Sequence, residues 1–573
     1  MENLSATIAD FRTIAEDRER AATSPGSWLR DTMELYNRAA DLYENLESYC
    51  YCRYSVETAN EEAGAALNRV TEFTVPLNEM QVAFRDALAR LDADPEDIID
   101  GDEDLQGYTW FLNEELFLQT RQLSGPEESL AADLNRPGGG AWSRLHDSVS
   151  SQLSVVWDQS TGEQKTVVEL RNLAMSADRT IRKKAYDLEL SAWESVEVPL
   201  SFALNGVKGF THILNSRRGW ASTLERSTRQ ARITPRTLES LIGAMRDALP
   251  LFRRYMKAKA TMLGLPVLSF YDLFAPLAGD DDSWSFERAR GYITEKFTDF
   301  SPDLGDFARH AFSSSWIDAK PQKGKIGGAY CIDMPVAAES RILSNFDGTF
   351  DGVSTLTHEL GHAYHSSLLR DLPAVQRHYP MTLAETASIF SETLIFSHRL
   401  SEAPEAGKAA VLEPFLQGAA QVVVDILSRF EFESRLMERR ATDEVSPREL
   451  KELMLAAQES TYGDGLHPTE RHPYMWAVKG HYYTVDLAFY NFPYAFGQLF
   501  GMGLFALYRK DPEQFPELYR KLLRETGRDS AEKVTRSAGF DIETREFWDG
   551  AVAEIASYVE QFESLSPASA PRG

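Results

Sequence analysis

Apolar residues recur every three to four positions along most of this chain, the spacing that gathers them on one face of an α-helix. Trp28-Leu29, Met33, Tyr36, Ala40, Leu42-Tyr43, Leu46 and Tyr49 show it first and predict a helix capped by Ser27. A second helical segment is predicted from about Ser55 to Leu91, with Pro76 as a kink. Pro95 caps a further short element, and Glu114–Leu123 is helical again. The aromatic and methionine positions of this region read as core. Asn135-Arg-Pro-Gly-Gly-Gly-Ala-Trp142 is the clearest break in the first half. No Gly-Lys-Ser/Thr follows its glycines, so it predicts a tight connection and not a phosphate loop. Helical spacing then resumes to about Leu263. Arg171, Arg179, Arg182, Lys183 and Lys184 alternate there with acidic and apolar residues, as on a solvated helix face.

The pattern changes between Gly264 and Thr349. Pro266 and Tyr271-Asp-Leu-Phe-Ala-Pro276 predict a loop. Lys325-Ile-Gly-Gly-Ala-Tyr-Cys-Ile332 and Arg341-Ile-Leu-Ser-Asn-Phe346 are short runs with strand propensity, which predict a small antiparallel sheet. Gly327 and Gly328 would let another chain approach closely. From Pro380 to Phe562 the helical pattern returns, broken at Tyr462-Gly-Asp-Gly-Leu-His-Pro468. The expected fold is mostly α-helical with one small sheet. The tail 564–573 is expected to be disordered.

Composition narrows the function. The chain has 573 residues, 43% hydrophobic, and a formal net charge of −27. That charge repels nucleic acid and anionic membrane alike. No 18-residue apolar run is present, which predicts no membrane span. The start, Met1-Glu-Asn-Leu-Ser-Ala-Thr-Ile-Ala-Asp10, has neither a basic nor an apolar leader region. Cys50, Cys52 and Cys331 are too few for a disulfide framework. A cytoplasmic protein is expected.

The candidate chemistry lies in Thr355-Leu-Thr-His-Glu-Leu-Gly-His-Ala-Tyr-His365. His358 and His362 are four apart, so on a helix both imidazoles reach one zinc ion with room left for a water. Glu359 adjoins the first histidine and can take a proton from that water. An amphipathic helix with histidines on its polar face would show the same pair. Gly361 argues against it, because mid-helix glycine costs about 1 kcal/mol and marks a close approach of backbone or substrate. Ser354, Thr355 and Thr357 are candidate caps. His365 shares nearly the same face, but the three-histidine pattern H-E-x-x-H-x-x-G-x-x-H needs Gly at 365 and His at 368, where this chain has His365 and Leu368. The third ligand is therefore expected on another element. Pro373 and Pro380 end the first helix, and Met381–Leu394 predicts the next, carrying Glu385 and Glu392 two turns apart. Either suits a metal, with the other orienting a ligand histidine. Glu385 is the choice, because Ala384, Ala387 and Ser388 permit close packing around it.

These two segments, T-L-T-H-E-L-G-H-A-Y-H and L-A-E-T-A-S-I-F-S-E-T-L, resemble the M3 family of zinc metallopeptidases. The similarity is greatest to the oligoendopeptidase F type, with thimet oligopeptidase and neurolysin more distant. It covers roughly residues 110–565 and is strongest at 324–394 and 474–500. The resemblance implies one zinc ion per chain on His358, His362 and Glu385, with Glu359 as general base. It implies two helical lobes enclosing a deep substrate cleft, and a strand beside the zinc helix that holds the peptide backbone. It divides the chain into an N-terminal helical lobe at 1–195, similar to oligoendopeptidase F over 110–190, and a catalytic region at 196–563.

A second cluster follows at Trp476-Ala-Val-Lys-Gly-His-Tyr-Tyr483 and Phe489-Tyr-Asn-Phe-Pro-Tyr-Ala-Phe-Gly497. Water attack on a peptide carbonyl creates an oxyanion, and each well-placed donor stabilises it by about 3–4 kcal/mol. Tyr and His both donate when neutral. Tyr490 and Tyr494 are four apart, although Pro493 makes the first turn irregular, and an aromatic core segment would look alike. Family members carry a His and then two Tyr four apart, and His481, Tyr490 and Tyr494 match those roles. The interval from His481 to Tyr490 is longer than is usual, and Gly480 stands where Pro is common. The expected activity is hydrolysis of internal bonds in short unstructured peptides. The nearest rival is a zinc carboxypeptidase or dipeptidyl carboxypeptidase, which needs a cation for the terminal carboxylate. Arg341, Arg471 and Lys479 are its candidates. A non-catalytic peptide-binding scaffold is the rival of another class, and the intact His358, Glu359, His362 and Glu385 oppose it.

Overall fold

Helices account for most of the chain because the 3.6-residue apolar period runs through most of it. The computed structural model describes residues 1–91, 95–277 and 282–566. The expected tail at 564–573 lies outside these residues beyond Ser566. Contacts divide the chain into two units. The first comprises Met1–Gln122, Asp282–His398 and Leu507–Asp541, the second Leu123–Asp281, Arg399–Ala506 and Ile542–Gly573. Neither is a continuous segment, and residue 195, the end of helix Arg179–Ser195, falls inside the second.

In the first unit, the N-terminal helices surround a core of Leu4, Phe11, Trp28, Met33, Phe84 and Leu112. Val375, from just beyond the histidine motif, joins that core. Its backbone N–H donates to Asn37 Oδ1 at 3.1 Å. The first hundred residues, in which the sequence shows no family resemblance, therefore pack directly on the motif region. Several boundaries differ from expectation. The long first helix is Pro25–Val56 with Ser24 at its N-cap, so Ser27 lies inside it. The next segment breaks at 72–73, and Pro76 sits in the first turn of Thr74–Leu88, where a missing N–H costs little. Thr109–Gln119 replaces the expected Glu114–Leu123.

The sheet beside the motif helix has order β3-β5-β4, with β3 Ile317–Asp318, β4 Tyr330–Met334 and β5 Glu339–Leu343. β4 and β5 are antiparallel, as expected, while β3 adds a parallel pairing to β5. Gly327 and Gly328 precede β4 and are not part of it. Two helices within the expected irregular region, Phe286–Phe300 and Pro302–Ser313, were not foreseen.

In the second unit, helix Pro235–Met262 packs along Arg545–Leu565. A hairpin of β1 Ser154–Asp158 and β2 Glu163–Thr166 interrupts the region read as helical. Its signal was local: Val155-Val156-Trp157 favours strand, and Gly162 takes the positive φ of 72° at the turn. The glycines of 138–140 form a tight connection. A Cβ at Gly139 would meet Val485 at 2.8 Å. One helical stretch, Glu405–Arg440, has a membrane-length window of mean hydropathy 1.4, which a count of unbroken apolar residues passes over. It is mostly buried in the second unit and contains a π-helical turn at Gln421–Asp425.

Candidate metal centre

The motif helix spans Phe350–Leu369. Its cap is Thr349, whose Oγ1 accepts from Gly352 N at 3.1 Å. Ser354, Thr355 and Thr357, expected as caps, lie inside the helix. Its later residues are tied to several neighbours in the first unit. Gly361 meets the helix Thr386–Glu402, Tyr364 donates to Asp303 Oδ2 at 2.8 Å, and His365 Nε2 lies 2.8 Å from Thr526 Oγ1, within hydrogen-bonding distance. Arg370, at the end, donates to Asp333 Oδ1 of β4 at 3.3 Å and to Ser340 Oγ of β5 at 2.8 Å. These contacts anchor the C-terminal half of the helix, from Gly361 onward.

Gly361 is required by contact. A Cβ there would lie 2.6 Å from Ala387 O and 2.7 Å from Ser388 Cα. The approach is backbone on backbone, and it brings the start of the second helix against the histidines. Glu385 occupies a one-residue interruption between Met381–Ala384 and Thr386–Glu402, with φ −88° and ψ 7°. The segment 381–394 is thus helical but for the residue that carries the carboxylate. Gly361→Ala is expected to separate the two helices, at about 1–3 kcal/mol of stability, and to lower zinc retention. Thermal unfolding and metal analysis of the purified variant measure both. Unchanged values would contradict this contact.

His358 Nε2 and His362 Nε2 stand 3.1 Å apart. Glu385 Oε2 is 3.3 Å from the first and 3.4 Å from the second. A point equidistant from three atoms at such separations is about 1.9 Å from each, close to the roughly 2.0–2.2 Å of zinc–nitrogen and zinc–oxygen bonds. A zinc ion at that point would take the lone pairs of both imidazole nitrogens and one carboxylate oxygen. The donor set therefore fits a single zinc ion.

The surroundings reinforce this. Glu392 Oε2 sits 3.4 Å from His358 Nδ1, on the ring edge away from the triangle. A hydrogen bond from Nδ1–H fixes the tautomer whose Nε2 lone pair faces inward. Ser354 Oγ donates to the other Glu392 oxygen at 3.2 Å, and Ser388 Oγ to Glu385 Oε2 at 2.6 Å. Sequence reasoning missed these two serines. Ser354 lies one turn before His358, and that spacing was the available signal. Burial opposes charge on His358, but its hydrogen bonds to the Glu385 and Glu392 carboxylates outweigh it and push the pKa up to about 11. Burial likewise opposes the Glu385 carboxylate, and the two histidines hold it far below the usual carboxylate range. The site is built to hold positive charge.

Glu359 is buried at 6% exposure, next to the triangle. Burial raises its pKa, and the positive charge of His358 and His362 pulls it back. His365 is not among the converging groups. It is fully buried, stacks on Tyr379 at 4.3 Å and is pushed down to about 3 by burial, which makes it a neutral structural contact.

His481, Tyr490 and Tyr494 belong to the second unit. Tyr490 and Tyr494 are paired edge to face, with hydroxyl oxygens 3.1 Å apart. Tyr490 lies in the turn before helix Phe492–Lys510, which Phe489 enters with a positive φ of 54°. Strain of this kind at a bulky residue accompanies functional turns. Tyr494 is 40% exposed, so it is not the core residue that an aromatic packing segment would supply. Burial and the cations Arg429 and Lys479 push His481 down to about 3, so it is neutral at pH 7. Tyr483, by contrast, is buried and stacks on His146 at 3.9 Å.

Comparison with known proteins bears on the family. Over 474 residues the chain is 28% identical to the group B oligopeptidase PepB of Streptococcus agalactiae, covering 81% of this chain and 77% of that one. Its fold matches that of a putative peptidase from Chlamydophila abortus with a TM-score of 0.83 at 21% identity, over 98% and 96% of the two chains. It also matches oligoendopeptidase-F from Enterococcus faecium, with a TM-score of 0.70 at 19% identity over 98% and 97%. The oligopeptidase F profile matches residues 91–154 and the peptidase family M3 profile residues 172–554, more than half of the chain. This chain therefore belongs to peptidase family M3 and is a metallopeptidase.

Proposed function

We propose that the chain is a zinc endopeptidase that cuts internal bonds of short, unstructured peptides. The observation that carries this reading is the convergence of His358, His362 and Glu385 within 3.1–3.4 Å, with Glu359 buried beside them. Zinc held there would supply Lewis-acid chemistry, polarising the peptide carbonyl and acidifying water. Glu359 accepts the proton from the attacking water and returns it to the leaving amine. Its apolar burial raises its basicity for the first transfer. Glu392 and Ser354 keep His358 in the ligating tautomer. Tyr490, Tyr494 and neutral His481 are the proposed donors to the developing oxyanion. The relatives are named as oligopeptidases, which favours peptides over folded proteins as substrates.

The test is mass spectrometry of the products from a mixed peptide library, with and without chelator, using free and amidated C-termini. Internal cleavage of both forms, abolished by chelator, is expected. Cleavage confined to free C-termini would favour the carboxypeptidase reading. Tyr494→Phe keeps the ring and removes the hydroxyl. It is expected to lower kcat by roughly 10²–10³-fold with KM little changed, because a donor aimed at the oxyanion strengthens only as charge appears. Tyr490→Phe is the companion variant. Normal kcat in both would assign the pair to packing.

A further inference from the structure

The second unit holds a cavity of about 40 Å³ that the peptidase reading leaves unused. That is room for a few non-hydrogen atoms. The π-helical turn Gln421–Asp425 forms part of its wall, and such turns often mark functional sites. Four cations reach this wall: Arg171, Lys259, Arg429 and Lys479. Three have acidic partners. Arg171 Nη1 donates to Glu189 at 2.8 Å, Lys259 Nζ to Glu413 at 2.5 Å, and Arg429 Nη2 to Asp425. Lys479 makes no direct ion pair among the described residues, and the carboxylates that act on it from further off, Asp425 and Glu189, are already bonded to Arg429 and Arg171. Arg429 is 8% exposed, and its Nε–H has no acceptor. The wall thus carries one unmatched positive charge and one unsatisfied buried donor. A bound anion would supply the missing counter-charge to Lys479, which is half-buried, and an acceptor to the Arg429 Nε–H.

We propose that this cavity binds one small anion, of the size and charge of a carboxylate, held by Lys479 and Arg429. Burial and repulsion from Arg429 lower the pKa of Lys479 to about 8, as suits an ammonium awaiting a counter-charge. Two sources share the chemistry: a free anion in solution, and the terminal carboxylate of a peptide. Of the three cations that the sequence offers for a terminal carboxylate, two are already engaged. Arg341 pairs with Glu339, and Arg471 Nη2 donates to the Gly463 carbonyl at 3.0 Å. Lys479 is the one left.

The test is thermal unfolding of the full-length chain at constant ionic strength, with sodium acetate replacing a ring-bearing sulfonate buffer too large for the cavity. Acetate is expected to raise Tm by about 2 °C. Lys479→Met should abolish the shift and Lys479→Arg should keep it, with circular dichroism confirming that each variant folds. Triglycine and its C-terminal amide separate the two sources. A shift with triglycine alone, competing with acetate, assigns the site to a peptide carboxylate. A shift with acetate that triglycine leaves unchanged assigns it to a free anion. An equal response in wild type and Lys479→Met, or no response to either ligand, overturns the proposal. The readout needs no turnover, so it stands or falls apart from the peptidase reading.

Discussion

Glu359→Gln is expected to keep its zinc and lose turnover by about 10³-fold or more. The substitution is nearly isosteric, so a residue at 6% exposure keeps its packing. None of the three converging atoms belongs to Glu359. What disappears is the proposed base, a buried carboxylate next in sequence to His358. Gln cannot act as a base, and its neutral amide also ends the attraction between Glu359 and the two histidines. Metal analysis should give the wild-type content, and kcat should collapse with KM of the same order. A Gln variant with near-normal kcat would remove Glu359 from the mechanism.

The second large effect separates two glutamates that local sequence treats almost alike. Glu385→Gln replaces the carboxylate whose Oε2 closes the triangle at 3.3 and 3.4 Å. Its charge balances the cation, and an amide oxygen supplies none. Zinc affinity should fall by more than the roughly 10–100-fold that follows loss of an outer hydrogen-bond partner. Glu392→Gln affects only the Nδ1 side of His358, where the amide oxygen still accepts a hydrogen bond. It should retain zinc, with affinity reduced within that 10–100-fold range at most. Competition with a chromogenic chelator measures both. If Glu392→Gln loses the metal and Glu385→Gln keeps it, the two roles are reversed.

The amino-acid sequence by itself determined the helical class and the pairing of His358 with His362, because both follow from the 3.6-residue period. It also indicated the crossing at Gly361. Glycine is unfavourable inside a helix, and the small residues Ala387 and Ser388 offered a surface narrow enough to meet it. Only the tertiary structure decided the rest. Glu385 and Glu392 lie two turns apart on one segment, and which of them faces Nε2 depends on where that segment crosses the motif helix. Ser354 had the composition of a cap, but the cap is Thr349, and the Ser354 hydroxyl donates to Glu392 instead. β3 joins β5 from outside any local strand signal, since a two-residue strand carries no periodicity. The approach of Tyr490 to Tyr494 depends on a left-handed turn at Phe489, a conformation that no bulky residue announces. Lys479 resembles any other lysine in the sequence. That it lacks a counter-charge follows from which partners Glu189, Glu413 and Asp425 have already taken. Periodicity is a local property and can be read along the chain. Pairing of charges, backbone approach and strand addition depend on residues far apart in sequence, and these become neighbours only once the helices have packed.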